Sequence, residues 1–290
     1  MTERRATTVI LAQILCISAG FAVLCAVSDP AAAQEAVPKA GAEAVPQDNP
    51  EAGAFGGYLL LGAAALPDYE GSEDYTVGPL IAGKLSYQSY YLEVMGTQAR
   101  LNVSPFRGFE FGPSVGYVPG RGNVENNRVD AMRNIDGTVN GGAFFTVYTD
   151  RLLTESDQLA FKVEALTDLG DVNNGTTVSF GPSYRFSPME RLSLGVEVSA
   201  TYASANYTDT YFGVDARDAG RSGLSRYKAN GGIKDVGVML NVAYQFTDHW
   251  GISGFAGYTR LVGDAADSPI VAREGSAGQG IVGTGVIFSY

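Results

Sequence analysis

The sequence predicts an all-β fold, a transmembrane antiparallel up-and-down β-barrel of about 12 strands that occupies residues 55–290. Three observations predict it. Apolar and polar residues alternate with a period of two in segments of about ten residues. The connections between these segments alternate between short and long, as they do on the two sides of such barrels. After residue 33, no apolar stretch approaches the roughly 18 residues that a membrane helix needs.

The N-terminus predicts export. Arg4 and Arg5 precede a long apolar run from Val9 to Val27, and Ala31-Ala32-Ala33 forms a small-x-small cleavage site. We therefore expect residues 1–33 to be a signal peptide that is cleaved near Ala33. An uncleaved membrane anchor is the alternative interpretation. Both cysteines lie in this run, so the mature chain has no disulfide.

Residues 34–54 contain Ala-Val-Pro twice among Glu, Gln, Asp and Gly, which predicts a disordered periplasmic linker. The formal net charge is −11, without a basic cluster, and this argues against nucleic acid as a partner. Tyrosine outnumbers phenylalanine, 16 to 14, and tyrosine is typical of the membrane–water interface.

The alternation assigns one face of each strand to lipid and the other to the lumen. Val236, Val238 and Leu240 alternate with Gly237 and Met239, and similar patterns cover residues 159–168, 178–186 and 192–202. The same pattern would suit a soluble sandwich with a core. The signal peptide, the last strand and the loop lengths together favour the barrel.

Loop lengths set the strand count. Short connections fall at residues 88–89, 104–107, 187–190 and 247–249, and long polar ones at 119–137, 205–232 and 263–278. A simple count gives eleven strands, but termini on the same side of the membrane require an even number. A tight turn at Gly96-Thr97 gives 12 strands. The two strands that it creates are shorter than the roughly nine residues of a full span.

The final strand carries a barrel-assembly signal. Gly285, Phe288 and Tyr290 match a C-terminal pattern of Gly, two spacers, aromatic, spacer, aromatic. Bacterial outer-membrane barrels end in this way because their assembly machinery reads the pattern. We therefore expect the barrel-assembly machinery and outer-membrane lipid as partners, and the Gram-negative outer membrane as the location.

The sequence offers no catalytic residues. Its one histidine, His249, lies beside Trp250 in a predicted periplasmic turn, on the wrong side for the barrel hydrolases. The mature chain has no set of Cys and His ligands for a metal, and no cofactor is expected. Asp209, Asp215 and Asp218 in a long loop are expected to be solvated acids, although oxygen ligands of this kind also suit weak Ca²⁺ or Mg²⁺ binding.

Charged residues fall on the lumen side of several strands. Such charges are costly within the membrane zone unless they are paired or solvated. They either form a salt-bridged plug or line a narrow aqueous pore, and the presence of both signs favours a mostly filled interior. The candidate lumen charges are Lys84, Glu93, Glu110, Lys162, Glu164, Asp168, Arg185 and Glu197.

Two blocks resemble the signatures of one known family. The first is Pro67-Asp68-Tyr69-Glu70-Gly71-Ser72-Glu73-Asp74-Tyr75, followed by Pro79. The second runs from Arg260 through Gly263-Asp264-Ala265-Ala266-Asp267-Ser268-Pro269 to Val271, followed by Gly275-Ser276 and Gln279. The chain thereby resembles the MipA/OmpV family (MltA-interacting protein) of outer-membrane β-barrels over essentially its whole mature length.

The resemblance implies a non-enzymatic scaffold that joins a murein lytic transglycosylase to a murein synthase. Other members are described as porin-like or as adhesion proteins. Two alternatives therefore remain open: a narrow channel for small solutes, suggested by the charged lumen, and surface adhesion through the loop at residues 205–232.

The two blocks are expected to meet at the outer side, because the first and last strands become neighbours when a barrel closes. We expect them to form a loop seam in which Tyr69 and Tyr75 bind Asp264 and Asp267. The residues of this candidate seam are Tyr69, Gly71, Ser72, Tyr75, Gly263, Asp264, Asp267, Ser268 and Pro269.

Overall fold

Residues 55–290 are described by a computed structural model, in which they form a closed antiparallel barrel of 12 strands. Each strand pairs with its sequence neighbours, and the first pairs with the last from Tyr58 opposite Ser289 to Ala65 opposite Val282. The predicted fold class and strand count are therefore confirmed. The predicted signal peptide (1–33) and linker (34–54) lie outside the described residues.

The strands have the following bounds: β1 (Phe55–Pro67), β2 (Tyr75–Tyr87), β3 (Tyr90–Met95), β4 (Gln98–Asn102), β5 (Phe109–Val118), β6 (Thr138–Asp150), β7 (Gln158–Asp168), β8 (Thr176–Met189), β9 (Leu192–Ala203), β10 (Gly232–Gln245), β11 (Trp250–Leu261) and β12 (Gly278–Ser289).

The two faces of the wall differ as the alternation predicts. On β10, Val238 and Leu240 are 40% and 56% exposed, whereas Met239 and Asn241, which alternate with them along the strand, are buried. The exposed apolar face is the surface that lipid covers, and the ladders between neighbouring strands pair their backbone groups inside the wall. None of the helices within residues 55–290 is both long and apolar enough to cross a membrane.

The tight turn at Gly96-Thr97 exists, and the hairpin β3–β4 is as short as the sequence predicts. β3 has six residues and β4 has five, against 13 in β2. The ladder between β2 and β3 ends with Ala82 opposite Met95, and one further bond joins the N–H of Gly96 to the carbonyl of Ile81. The outer part of β2, residues 75–80, pairs with β1 alone. The outer half of the wall is therefore interrupted beside β2.

Pro79 lies at this interruption. Since the carbonyl of Ile81 points toward β3, the alternation of backbone groups points residue 79 to the same side. A proline there has no N–H to leave unpaired, which is why prolines are tolerated on strand edges. Pro79, a residue of the first signature block, thus blunts the open edge of β2.

The long loops fold into an outer cap, defined as residues 68–74, 119–137, 169–175, 204–231 and 262–277. Short helices organise the cap: α1 (Asn127–Asp130), α2 (Ala205–Phe212), α3 (Ala216–Ser222), α4 (Gly263–Asp267) and α5 (Pro269–Ala272). Phe212, Ile270 and Val271 are at most 1% exposed, and they lie in two apolar clusters that join several of these loops. The loops therefore share a core of their own at the outer end of the barrel.

Candidate functional site

One side of the lumen is filled by apolar side chains. Burial of such groups stabilises the barrel from within by removing apolar surface from water. The cluster is built from β1, β2, β3, β10 and β12, and its members are Tyr58, Leu60, Ala64, Leu66, Leu80, Ala82, Met95, Met239, Ala243, Ile281 and Ile287.

The predicted lumen charges lie on β2, β3, β5, β7, β8 and β9, and each of them has partners. Lys84 Nζ lies 4.3 Å from the centre of the Tyr91 ring, and the Tyr91 hydroxyl donates to Glu110 (2.8 Å). Glu93 pairs with Arg100 at 2.7 Å. Arg100, which is 9% exposed, was not singled out from the sequence, although it alternates with Leu101 on β4.

Further along the wall, Lys162 faces Glu197 with 3.7 Å between nitrogen and oxygen. Glu164 is 2% exposed and accepts hydrogen bonds of 2.6 Å from Gln98 and Ser114. Nη2 of Arg185 donates to Gln158 at 2.8 Å near the periplasmic end. These contacts tie β4, β5, β7, β8 and β9 together across the lumen.

Asp168 has a different place from the other lumen charges. It ends β7 at the outer side and organises the loop at 169–175. Its carboxylate accepts from the Thr138 hydroxyl and from the backbone N–H groups of Gly170, Asn173 and Asn174. A carboxylate with this many donors serves as the anchor of a turn.

A buried cluster of charge at the cap–lumen boundary was missed in the sequence. Lys234, 6% exposed, pairs with Glu70 of the first loop and with Asp235 beside it. The Tyr207 hydroxyl also donates to Glu70 (3.2 Å). The register of β10 against β9 shifts between Ile233 and Asp235, so this irregularity changes the alternation that would have marked Lys234.

A cavity of about 260 Å³ lies between the filled lumen and the cap. Its wall includes the charged residues Glu164, Lys162 and Lys234. Pro67 to Glu70 and Gly116 to Arg121 line it on the two sides of the interrupted wall, together with the β3–β4 turn. The cavity therefore borders the place where β2 lacks an outer neighbour.

The signature blocks do meet at the outer side. The N–H of Gly71 donates to the side-chain oxygen of Gln279 (3.0 Å), and the Gln279 amide donates to the carbonyl of Ser72 (2.9 Å). The N–H of Gly280 donates to the Tyr75 hydroxyl (3.0 Å). Gly71 has φ +96°, and a Cβ there would lie 2.6 Å from Val271, so glycine suits this position.

These hydrogen bonds correct the prediction that Tyr69 and Tyr75 bind Asp264 and Asp267. Asp264 accepts from the N–H and the side-chain amide of Asn230, at 2.7 and 2.9 Å, in the loop at 204–231. These bonds lower the pKa of Asp264. Asp267 is exposed. Burial of Tyr69 raises its pKa to about 12. The contact is made instead by Gln279, by the Tyr75 hydroxyl and by backbone groups, which are less distinctive in a sequence.

The other members of the second block serve the cap. Gly263 has φ +55° and begins α4. Ser268 is fully buried, caps α5 by accepting from the N–H of Ile270, and donates to the carbonyl of Phe212 at 2.6 Å. Pro269 follows as the first residue of α5, where its missing N–H costs nothing.

The expectation that Asp218 is solvated is also wrong, because Asp218 is 0% exposed.

Two residues of the predicted assembly signal, Phe288 and Tyr290, lie at the periplasmic end, where the first and last strands meet, and Gly285 lies further along the wall. Gly285 is opposite Gly62 of β1, the Phe288 ring lies 4.9 Å from that of Trp250, and the N–H of Tyr290 donates to Gly57 (3.1 Å). His249 is exposed, with Nδ1 2.9 Å from the carbonyl of Ser289.

Within residues 55–290, no three His, Cys, Asp or Glu side chains are grouped as a metal site requires.

Comparison with known proteins assigns the family. A family model described as "MltA-interacting protein MipA" matches residues 59–290. The chain belongs to the MipA family. It is an outer-membrane β-barrel, since relatives named as outer-membrane proteins match it and the family model covers the barrel.

Two curated relatives from Escherichia coli K12 show the level of similarity. The MltA-interacting protein is 28% identical over 123 residues, which is 42% of this chain and 48% of that protein. The putative outer membrane protein YiaT is 30% identical over 115 residues, or 40% and 46% of the two chains. The chain thus spans about half the length of the curated relatives it matches.

Among solved structures, an outer membrane channel from Pseudomonas putida F1 is similar at 12% identity. The match covers 91% of this chain and 100% of that chain, with a TM-score of 0.42. Likeness at this level carries no information about transport by the present MipA-family barrel.

Proposed function

We propose that this protein is a non-enzymatic outer-membrane scaffold for murein-remodelling enzymes, namely a lytic transglycosylase and a murein synthase. Membership of the MipA family supports the proposal, as does the name of the E. coli relative, MltA-interacting protein. The scaffold gives these enzymes a fixed position under the outer membrane while they work on the murein layer.

The occupied lumen is the observation that carries this proposal. Apolar side chains fill one side, hydrogen-bonded and ion-paired side chains cross the other, and the cap packs over the outer end. Mutually satisfied polar groups make an interior rigid. Such a barrel is suited to hold its rim in one shape, which a binding platform needs.

The periplasmic turn at residues 151–157 offers a surface for such a partner. Asp157 accepts hydrogen bonds from the N–H groups of Leu152, Leu153 and Thr154, at 2.7 to 3.0 Å, and from the Tyr184 hydroxyl. Leu153 is 77% exposed and Leu152 is 50% exposed. A turn fixed in this way presents two apolar side chains without the loss of entropy that a mobile loop would suffer on binding.

Binding of a purified murein lytic transglycosylase to the full chain in detergent micelles tests the proposal. We expect wild-type protein to bind, and Leu153→Asp to weaken binding at least tenfold. Leu169→Asp is the matched control, because Leu169 is 65% exposed in a loop of the outer cap. Absence of binding by the wild type, or an equal loss in both variants, would contradict the scaffold.

The charged cavity favours a second candidate, a narrow channel for small solutes. Its wall carries Lys162, Glu164 and Glu197, which would interact with a hydrated solute. Single-channel recording in planar bilayers distinguishes the two functions. Steady open steps that change with Glu164→Gln or Arg185→Gln favour the channel, whereas a silent, folded barrel favours the scaffold. No particular contact favours the adhesion alternative.

A further inference from the structure

Arg121 is a buried cation at the cavity wall. It belongs to the loop at 119–137, where its backbone forms a two-stranded bridge with Ile135. The side chain is 4% exposed, and the residue lines the cavity beneath the cap together with Tyr69, Tyr207 and Tyr211. Its position is therefore fixed by the loop, and its guanidinium is withdrawn from bulk solvent.

One edge of this guanidinium is unused. Nη1 donates to the carbonyl of Tyr211 at 2.7 Å. Nε and Nη2 are buried and have no hydrogen-bond partner among the described residues. These two nitrogens form one side of the planar guanidinium, and their N–H bonds point the same way. That geometry matches the two oxygens of a carboxylate or of a phosphate.

Several carboxylates of the cap and cavity are already paired with other cations. Glu70 pairs with Lys234, and Glu197 with Lys162. Asp218 pairs with Arg133 and Arg221. A buried charge is stable only when it is paired and hydrogen-bonded. The protein thus holds a cation whose remaining donors need an oxyanion from outside the described chain.

We propose that the cavity beneath the outer cap binds a small molecule through a carboxylate or phosphate group, which Nε and Nη2 of Arg121 receive side by side. The tyrosine rings of Tyr69 and Tyr211 supply the apolar contact for the rest of the ligand. A cavity of about 260 Å³ is below the roughly 300–1,000 Å³ of drug-sized sites, so the bound part of the ligand is small. This inference is independent of the scaffold.

The charge state of Arg121 is compatible with this role. Burial lowers its pKa to about 10, and the positive charge of Arg133 contributes in the same direction. The guanidinium is still protonated at neutral pH, because this value lies well above 7. An oxyanion in the cavity offsets both influences, so binding stabilises the cap in the form described here.

Calorimetric titration of the full chain in non-ionic detergent tests the proposal. The probes are acetate, benzoate and inorganic phosphate at constant ionic strength, with chloride as the reference anion. We expect millimolar or tighter binding of at least one oxyanion to the wild type. Arg121→Gln should weaken it at least tenfold, and Arg121→Lys should weaken it too, since lysine keeps the charge but lacks the two-nitrogen edge.

Arg128→Gln is the matched control, because Arg128 lies in the same loop but is largely exposed and pairs with Glu274. It should bind as the wild type does. Equal binding by all variants would overturn the proposal. So would the absence of binding of any probe by the wild type, and this second result does not depend on whether the variants fold. Competition by a short-chain phosphatidic acid, stronger than by inorganic phosphate, would identify a lipid headgroup as the source. The reverse order would identify a free solute.

Discussion

Asp218 and Arg133 join the two longest cap loops through three groups. One carboxylate oxygen of Asp218 accepts the backbone N–H of Arg133 at 2.7 Å, and the other accepts the guanidinium at 2.5 Å. Asp218 has no exposed surface, whereas the Arg133 side chain is about one-third exposed. The pair spans 85 residues of sequence, so it fixes the fold of the cap and not that of one loop.

Asp218→Ala should loosen the cap without opening the barrel. The change leaves the N–H of Arg133 without its partner and leaves the guanidinium with the longer contact to Asp215, a cost on the order of 2–4 kcal/mol for a partly solvated pair. We expect trypsin to cut the loops at 119–137 and 204–231 at least tenfold faster. The barrel itself should keep its heat-dependent gel mobility. Asp171→Asn, at an exposed acid of another cap loop with φ +56°, is the control, because asparagine tolerates this backbone conformation. An unchanged cleavage rate for Asp218→Ala would refute the role.

Gln279→Ala should destabilise the contact between the two signature blocks. Gln279 is 6% exposed, and its removal leaves the N–H of Gly71 and the carbonyl of Ser72 without their partner. Unsatisfied buried groups cost about 1–3 kcal/mol. Urea unfolding in detergent micelles should show that loss. Gln88→Asn, in an exposed turn with φ +55°, should change stability little. Similar urea midpoints for Gln279→Ala and Gln88→Asn would show that Gln279 does not hold the two signature blocks together.

Acid should loosen the periplasmic turn at residues 151–157. Desolvation by itself would raise the pKa of Asp157, but the Tyr184 hydroxyl and three backbone N–H groups outweigh it and lower the pKa below the usual value. The folded pKa is thus below the unfolded value of about 3.9. The turn's stabilisation is complete above that value and is lost as pH falls through the folded pKa.

Hydrogen exchange at Leu152, Leu153 and Thr154, corrected for intrinsic rates, measures this effect. Protection should be constant from pH 7 to pH 5 and fall below about pH 4. Asp157→Asn should remove the pH dependence, because an amide does not titrate. A wild-type profile that stays flat to pH 2 would show that the carboxylate does not hold the turn.

The end of β12 should control delivery to the outer membrane. The N–H of Tyr290 closes the barrel onto Gly57, and the Phe288 ring packs on Trp250. We expect a chain that ends at Ser289, or Phe288→Ala, to give several-fold less heat-modifiable protein in outer-membrane fractions. Phe246→Ala, at an exposed position of the same end, should be delivered normally. Normal delivery of the truncated chain would argue against the signal.

The sequence predicts the wall of the barrel well because local sequence patterns specify its strands and turns. Period-two alternation and loop length are sufficient to find the 12 strands and the Gly96-Thr97 turn. They also place Glu164 and Glu197 on the lumen side, since a strand's two faces are determined by position alone. Even the short hairpin follows from parity, because a closed antiparallel wall with both termini on one side needs an even count.

The cap could not be predicted in this way. Its polar loops carry no periodic signal, and its stability comes from pairs that are distant in sequence, such as Arg133 with Asp218. Lys234 was missed because a shift of register in β10 alters the alternation. Arg121 was missed because a single arginine in a loop is usually solvated, and only the folded cap shows that it is buried.

The short hairpin β3–β4 gives the two halves of the barrel wall different strand counts. A section through the periplasmic half cuts 12 strands, whereas a section above Gly96 cuts ten. Neighbouring strands are about 4.8 Å apart, so two further strands would fill about 10 Å of the outer half of the wall. Lipid beside the periplasmic half therefore meets a continuous ladder, whereas lipid beside the outer half meets two strand edges, those of β2 and β5.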